Sequence, residues 1–186
     1  MTQLQLIEQI SDFDTPIEVV KLSSKLEDKD FSLRDMIDLT FYHHKPIALK
    51  ASSLLETILV EFPEKYYNEI DYFFERMLEV TEPGCMKHYA RAMTFLTSPE
   101  VSKDVRNKLK EIKLERVVEL CFGWMIDPKM MVSVRSAASE TLFNLRHRYP
   151  WIAEELSKQL EFLMPTATPS LAATADMILS YLHCED

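Results

Sequence analysis

The chain has 186 residues, 47% of them hydrophobic, which is enough for one folded domain with a sizeable core. Its formal net charge of −9 argues against a nucleic-acid-binding protein, because such proteins gain affinity by neutralising phosphates with Lys and Arg. The sequence contains only two glycines, Gly84 and Gly123, and so lacks a Gly-rich loop that could cradle a nucleotide phosphate.

The compartment is indicated by the first residues and by the cysteines. The opening sequence MTQLQLIEQI lacks the basic segment of a signal peptide, and no apolar run is long enough to cross a bilayer. Cys85, Cys121 and Cys184 lie far apart and are odd in number, unlike a disulfide framework. We therefore expect a cytoplasmic protein without a membrane anchor.

Prolines and apolar spacing predict a chain built of helices. Proline suits the first turn of a helix, where its missing N–H would be unpaired anyway. Five prolines stand at expected helix starts, namely Pro16, Pro46, Pro83, Pro128 and Pro169. No segment alternates with period two, so no strand is expected. The predicted helices are 3–11, 16–27, 32–43, 46–62, 65–80, 84–97, 101–112, 114–126, 129–147, 151–164 and 169–183.

Three of these prolines follow a residue that commonly caps a helix N-terminus. The capping residues are Thr15, Asp127 and Thr168. Thr15 is also followed three residues later by Glu18, which is a capping-box pattern. The three dipeptides therefore predict the starts of three helices.

A small residue followed by an apolar residue four places later recurs in the helices after the prolines. Residues at this spacing share one helix face, and a small side chain lets a neighbouring helix approach closely. We therefore expect stacked helix pairs, with Leu55, Leu142 and Leu179 buried between them. The recurring positions are Ala51 and Leu55, Ala92 and Leu96, Ala138 and Leu142, and Ala175 and Leu179.

Residues 127–145, DPKMMVSVRSAASETLFNL, resemble the HEAT repeat, in which an Asp-Pro turn precedes a helix of pattern Val-Arg-x-Ala-Ala-x-x-x-Leu-x-x-Leu. The chain is thus similar to the HEAT/armadillo-like helical-repeat (α-solenoid) family, over about residues 31–183 and by extrapolation over 1–30. The resemblance implies an all-α superhelix of about four to five stacked antiparallel helix pairs, with 1–186 as one domain. It also implies that Arg135 meets Asp127 or a neighbouring repeat. The matching residues are Asp127, Pro128, Val134, Arg135, Ala137, Ala138, Leu142 and Leu145.

In HEAT-like folds the second helices line a concave surface that binds a protein or peptide. We therefore predict a scaffold or adaptor that is not an enzyme and needs no cofactor. Three of the repeats carry a Lys or Arg at a similar outward position of the second helix. We therefore expect that the groove is less acidic than the opposite face and that it binds a carboxylate-bearing segment. The outward candidates are Lys50, Ser53, Thr57, Lys87, Arg91, Thr94, Arg135, Glu140 and Asn144.

Two other functions and one local feature stay open. A homo-oligomeric subunit would use the apolar surface of the first and last helices. A DNA glycosylase-like HEAT enzyme would use an aromatic residue and an acid, such as Trp124 and Asp127. Residues 101–116 carry six basic and three acidic side chains, which indicates either a solvated helix face or a binding patch.

Side chains that could carry metal or nucleophile chemistry are scattered. The five histidines have no metal-ligand spacing with a Cys, Asp or Glu on one helix face. Only Cys85 has neighbours, Lys87 and His88, that could activate a thiolate, and its apolar context favours a core residue instead. We therefore expect neither a metal site nor a catalytic residue.

Overall fold

The computed structural model describes residues 2–12, 21–24 and 31–185, in which helices are the regular elements and no strand occurs. The all-α class predicted from the sequence is confirmed. Residues 21–24 are helical and belong to the predicted helix 16–27, whose other residues lie outside the described ranges. The remaining α-helices are α1 (Gln3–Ser11), α2 (Leu33–Leu39), α3 (Lys45–Glu61), α4 (Ile70–Met77), α5 (Pro83–Thr97), α6 (Lys103–Glu111), α7 (Glu115–Ile126), α8 (Val132–Leu145), α9 (Trp151–Leu163) and α10 (Pro169–Glu185).

Most of the predicted helix starts are confirmed. Pro46 and Pro83 occupy the first turns of α3 and α5. Pro169 begins α10, and the Thr168 hydroxyl accepts a hydrogen bond from the Leu171 N–H at 3.4 Å. The predicted start at Thr15 lies outside the described residues.

The start predicted at Pro128 is wrong, because α8 begins only at Val132. Asp127 Oδ1 accepts a hydrogen bond from the Lys129 N–H at 2.8 Å. An aspartate that bonds the backbone two residues on forms a turn of its own, which competes with helix formation. The Asp-Pro dipeptide therefore marks a turn between α7 and α8 rather than the first turn of α8.

The predicted helix 65–80 is divided. Two single 3-10 turns, Pro63–Lys65 and Tyr67–Glu69, precede α4. The Glu69 carboxylate accepts hydrogen bonds from the Ser32 hydroxyl at 2.7 Å and from the Arg34 N–H at 3.1 Å. The segment before α4 therefore caps the N-terminus of α2, where backbone N–H groups have no partner within the helix.

Four helices form a row at the centre of the molecule, here called the central row. Helix α3 packs against α5, α5 against α8, and α8 against α10. Helices α1 and α2 pack against α3, while α7 and α9 pack against α8. The faces of the central row that point towards these other helices carry much of the hydrophobic core.

The small residues predicted at the helix contacts are buried in the central row, as are the leucines expected between helices. Leu55, Leu142 and Leu179 are all buried, as predicted. An alanine presents only one methyl group, so two helix backbones approach more closely there than at a larger side chain. The buried small residues are Ala51 in α3, Ala92 in α5, Ala138 in α8 and Ala175 in α10.

Replacing Leu142 with Ala is expected to lower the free energy of unfolding by about 2–5 kcal/mol, because it leaves a cavity in a fully buried site. Leu4→Ala is the matched control, since Leu4 is 74% exposed and its truncation should change stability by less than about 0.5 kcal/mol. Urea denaturation measures both variants. Equal losses would show that the register assigned to α8 is wrong.

Candidate binding surface on the central row

Arg135, one of the outward candidates, is buried. Its side chain is 9% exposed, and Nε donates to the Met125 carbonyl oxygen at 2.9 Å. Met125 lies in the last turn of α7, where carbonyl groups lack partners within the helix. The HEAT resemblance implied a contact between Arg135 and Asp127, but Arg135 bonds to the Met125 carbonyl oxygen instead. Arg135 therefore links α8 to the end of α7.

Thr94 and Asn144 join α5 to α8. Thr94 Oγ1 lies 3.0 Å from the Ala137 carbonyl oxygen and 3.1 Å from Thr141 Oγ1. Asn144 Nδ2 donates to the Thr94 carbonyl oxygen at 3.2 Å and to Thr97 Oγ1 at 3.3 Å. These half-buried bonds satisfy polar groups within the chain, so both residues contribute to the helix contact itself.

The candidates on α3 also make contacts within the chain. Lys50 Nζ donates to the Ser11 carbonyl oxygen at 3.1 Å and so ties α3 to the end of α1. Thr57 Oγ1 donates to the Ser53 carbonyl oxygen at 3.1 Å. Lys87, on α5, is half-buried. Lys50 and Arg135 thus make separate internal contacts and do not form one cationic surface.

An open groove of about 510 Å³ crosses α3, α5 and α8 and is here called the central groove. Arg91, Thr94 and Glu140 are the predicted candidates that line it. The groove therefore lies on the three successive helices from which the sequence predicted a binding surface. Its lining residues are Glu56, Val60, Arg91, Thr94, Phe95, Ser98, Glu100, Ser133, Ser136, Ala137 and Glu140.

The charged lining of the central groove is mostly acidic, which does not favour the carboxylate-bearing segment expected from the sequence. Its charged lining residues are Glu56, Glu100, Glu140 and Arg91. Arg91 Nε lies 3.1 Å from Glu56 Oε1, and His88 Nδ1 lies 2.6 Å from Glu56 Oε2. The guanidinium of Arg91 is therefore already paired with a carboxylate of the same groove.

Glu140 differs from Glu56 because no cation among the described residues pairs with it. Its side chain is half-buried, and this burial raises the pKa of the carboxyl group above its usual value. The Ser136 hydroxyl is buried and has no hydrogen-bond partner within the described part of the chain. Ser136 lies four residues before Glu140, so both residues lie on one face of α8, beside the central groove.

Sequence reasoning missed five polar residues of this groove: Glu56, Ser98, Glu100, Ser133 and Ser136. Helical spacing could have found Glu56, because it lies three residues after the candidate Ser53. Glu100 follows the end of α5, and Ser136 adjoins a residue of the HEAT-like pattern, so no local signal marked either of them. Their role in the groove follows from how α5 and α8 pack.

The other chemistries considered have no support in the geometry. Cys85 and Cys121 are buried, and desolvation raises the pKa of both thiols, so neither is an activated thiolate. Trp124 is also buried, so its indole ring is not available to stack on a base. Within the described residues, no cluster of three or more His, Cys, Asp or Glu could hold a metal ion.

No protein-family model matches the sequence, and comparisons with curated proteins and with solved structures give no significant match. Among the described helices, none is both long enough and apolar enough to cross a membrane. The functional argument therefore rests on the geometry of the central groove.

Glu140→Gln is expected to raise the free energy of unfolding near neutral pH. The folded state raises the pKa of Glu140, so its contribution to stability is greatest when the carboxyl is protonated and falls as pH rises through the folded pKa. The stability gained by the substitution should therefore shrink towards about pH 4, where the carboxyl group is largely protonated in both the folded and the unfolded state. Urea denaturation at about pH 4 and about pH 7.5 measures it.

Glu119→Gln is the matched control, because Glu119 is exposed on α7 and the change in net charge is the same. This variant should leave the free energy of unfolding nearly unchanged at both pH values. Equal gains for the two variants would mean that overall charge, rather than the burial of Glu140, sets the effect.

Proposed function

We propose that this chain is a HEAT-like helical-repeat scaffold, an α-solenoid that binds a segment of a partner protein in the central groove and is not an enzyme. The successive contacts of α3, α5, α8 and α10 support this proposal, because stacked repeats contact mainly their neighbours. The position of the groove supports it further. A partner lying in it would touch three helices of the central row at once.

The partner segment carries a Lys or Arg side chain that reaches Glu140. The unpaired, half-buried carboxylate is the observation that carries this assignment. A cation placed against it would form a charge-assisted hydrogen bond and would remove the desolvation penalty that raises its pKa.

The groove also has apolar walls, which favour a partner with an apolar residue beside its cation. Val60 on α3, Phe95 on α5 and Ala137 on α8 all line it. Burying an apolar side chain against them would contribute about 25 cal/mol for each Å² removed from water. The combined chemistry is that of a short basic and apolar peptide segment.

Selection from a random peptide library, with this protein as bait, should enrich sequences in which Lys or Arg lies beside an apolar residue. For the best peptide, Glu140→Gln is expected to weaken binding about tenfold or more, because it removes one partner of a half-buried charge pair. Isothermal titration calorimetry measures the affinity. Glu119→Gln should bind as the wild type does.

Unfolding cannot explain such a loss of binding, since Glu140→Gln is expected to make the free protein more stable. Enrichment of acidic peptides would contradict the proposal. Unchanged affinity of the enriched peptides for Glu140→Gln would contradict it as well.

A homo-oligomeric subunit is the second candidate, favoured by exposed apolar side chains on α1 and on the last two helices, α9 and α10. Leu4 of α1 is 74% exposed, Phe162 of α9 is 80% exposed and Met177 of α10 is 47% exposed. Solenoid ends without polar caps commonly cover such surface with another chain.

Light scattering at micromolar concentration separates the two candidates. We expect the mass of one chain if the protein is a monomeric scaffold. A multiple of that mass, returned to one chain by Phe162→Glu, would instead support a subunit that associates through α9. Glu115→Lys is the control, because it changes an exposed residue away from these ends. Leu22→Glu would not serve as a control, because Leu22 is buried.

A further inference from the structure

A second depression, of about 680 Å³, lies where the C-terminal ends of α5 and α8 meet α6. Four cationic side chains line it, and we call it the basic cleft: Arg106, Lys110, Arg146 and Arg148. None of the described residues that line it is an Asp or a Glu. The local charge is therefore opposite to the net charge of −9 carried by the chain.

The arginines of the basic cleft are held in place by backbone carbonyl groups. Arg148 donates to the Leu109 carbonyl oxygen at 2.6 Å and to the Ile112 carbonyl oxygen at 2.5 Å. Arg106 Nη2 donates to two carbonyl oxygens of the turn 99–101, at 2.8 and 3.1 Å. Carbonyl groups orient a guanidinium but carry no net charge, so these bonds do not neutralise Arg106 or Arg148.

Donors are also left over for a ligand. A guanidinium has five N–H groups, and the bonds that Arg106 makes to described residues all come from Nη2. Lys110 is exposed and forms no ion pair with any residue in the described ranges. A carboxylate at this rim could accept hydrogen bonds from both side chains.

The floor of the basic cleft is apolar. Leu96, Val101, Leu109 and Leu145 are buried side chains that line it. Its volume lies within the roughly 300–1,000 Å³ typical of small-molecule sites. A hydrophobic body of this size would cover the floor while an acidic group stayed at the cationic rim.

We propose that the basic cleft binds a small organic carboxylate with an apolar body. The carboxylate contacts Arg106 and Lys110, and the body lies over the leucines of the floor. This site is separate in charge and chemistry from the central groove, so it adds a second ligand to the proposed scaffold.

Three simple probes test the two halves of the proposed ligand. Decanoate has both a carboxylate and an apolar body, decanol has only the body, and acetate has only the carboxylate. Isothermal titration calorimetry with the full chain should show binding of decanoate, and decanol and acetate should each bind at least about tenfold more weakly. Added salt should weaken decanoate binding, because screening reduces attraction at an exposed rim.

Lys110→Glu is expected to weaken decanoate binding about tenfold, since it reverses one charge at the rim. Lys103→Glu is the matched control, because Lys103 is exposed on the same helix but does not line the basic cleft. It makes the same change in net charge and should bind decanoate as the wild type does. Glu140→Gln should also leave decanoate binding unchanged, which separates this site from the central groove.

Decanol binding as tight as decanoate would overturn the proposal, and so would an absence of decanoate binding at millimolar concentration. Equal weakening by Lys103→Glu and Lys110→Glu would reduce the effect to overall charge and would overturn it too. The decanol comparison uses the wild-type protein, so it stays decisive even if Lys110→Glu fails to fold.

Discussion

The close approach of α3, α5, α8 and α10 is the constraint on which the rest of the structure depends. Each of these four helices carries one buried alanine of the predicted pattern: Ala51, Ala92, Ala138 and Ala175. A larger side chain there would push two helices apart, and overpacking of this kind costs about 1–3 kcal/mol. The same shift would stretch the 3.0 Å contact between Thr94 and the Ala137 carbonyl oxygen. Helix spacing, the polar bridge and the shape of the central groove therefore vary together.

Charge is divided between two neighbouring depressions on the same helices. The central groove collects carboxylates along α3 and α8, whereas the basic cleft collects guanidinium groups around the ends of α5 and α8. Ser98 lines both sites. The carbonyl ends of helices favour nearby cations, which explains why the arginines gather at the C-terminal ends. A chain with an acidic average thus carries two depressions of opposite local charge.

The sequence predicts the helices and their buried faces well, because both follow from local spacing. Leu142 is buried as its register requires, and Pro46, Pro83 and Pro169 mark helix starts. The candidate site is predicted less well. Arg135 occupies an outward position in the helical pattern, but its long side chain turns back to a carbonyl of α7. A hydrogen bond between helices leaves no periodic pattern in the sequence. For the same reason, the sequence does not show that Glu140 lacks a cationic partner.

The bonds from Arg148 to α6 have a consequence for the order in which the chain is built. Helix α6 has nine residues and buries only Val105 and Leu109, so alone it is shorter than the ~12–15 residues that an isolated helix needs in water. Its terminal carbonyl groups, on Leu109 and Ile112, are closed by a residue beyond the end of α8. During synthesis from the N-terminus, the carbonyl groups of Leu109 and Ile112 therefore lack these bonds until Arg148 has been added. A chain that ended between α7 and α8 would keep the contacts of α6 with α4 and α5 but would leave these two carbonyl groups to water.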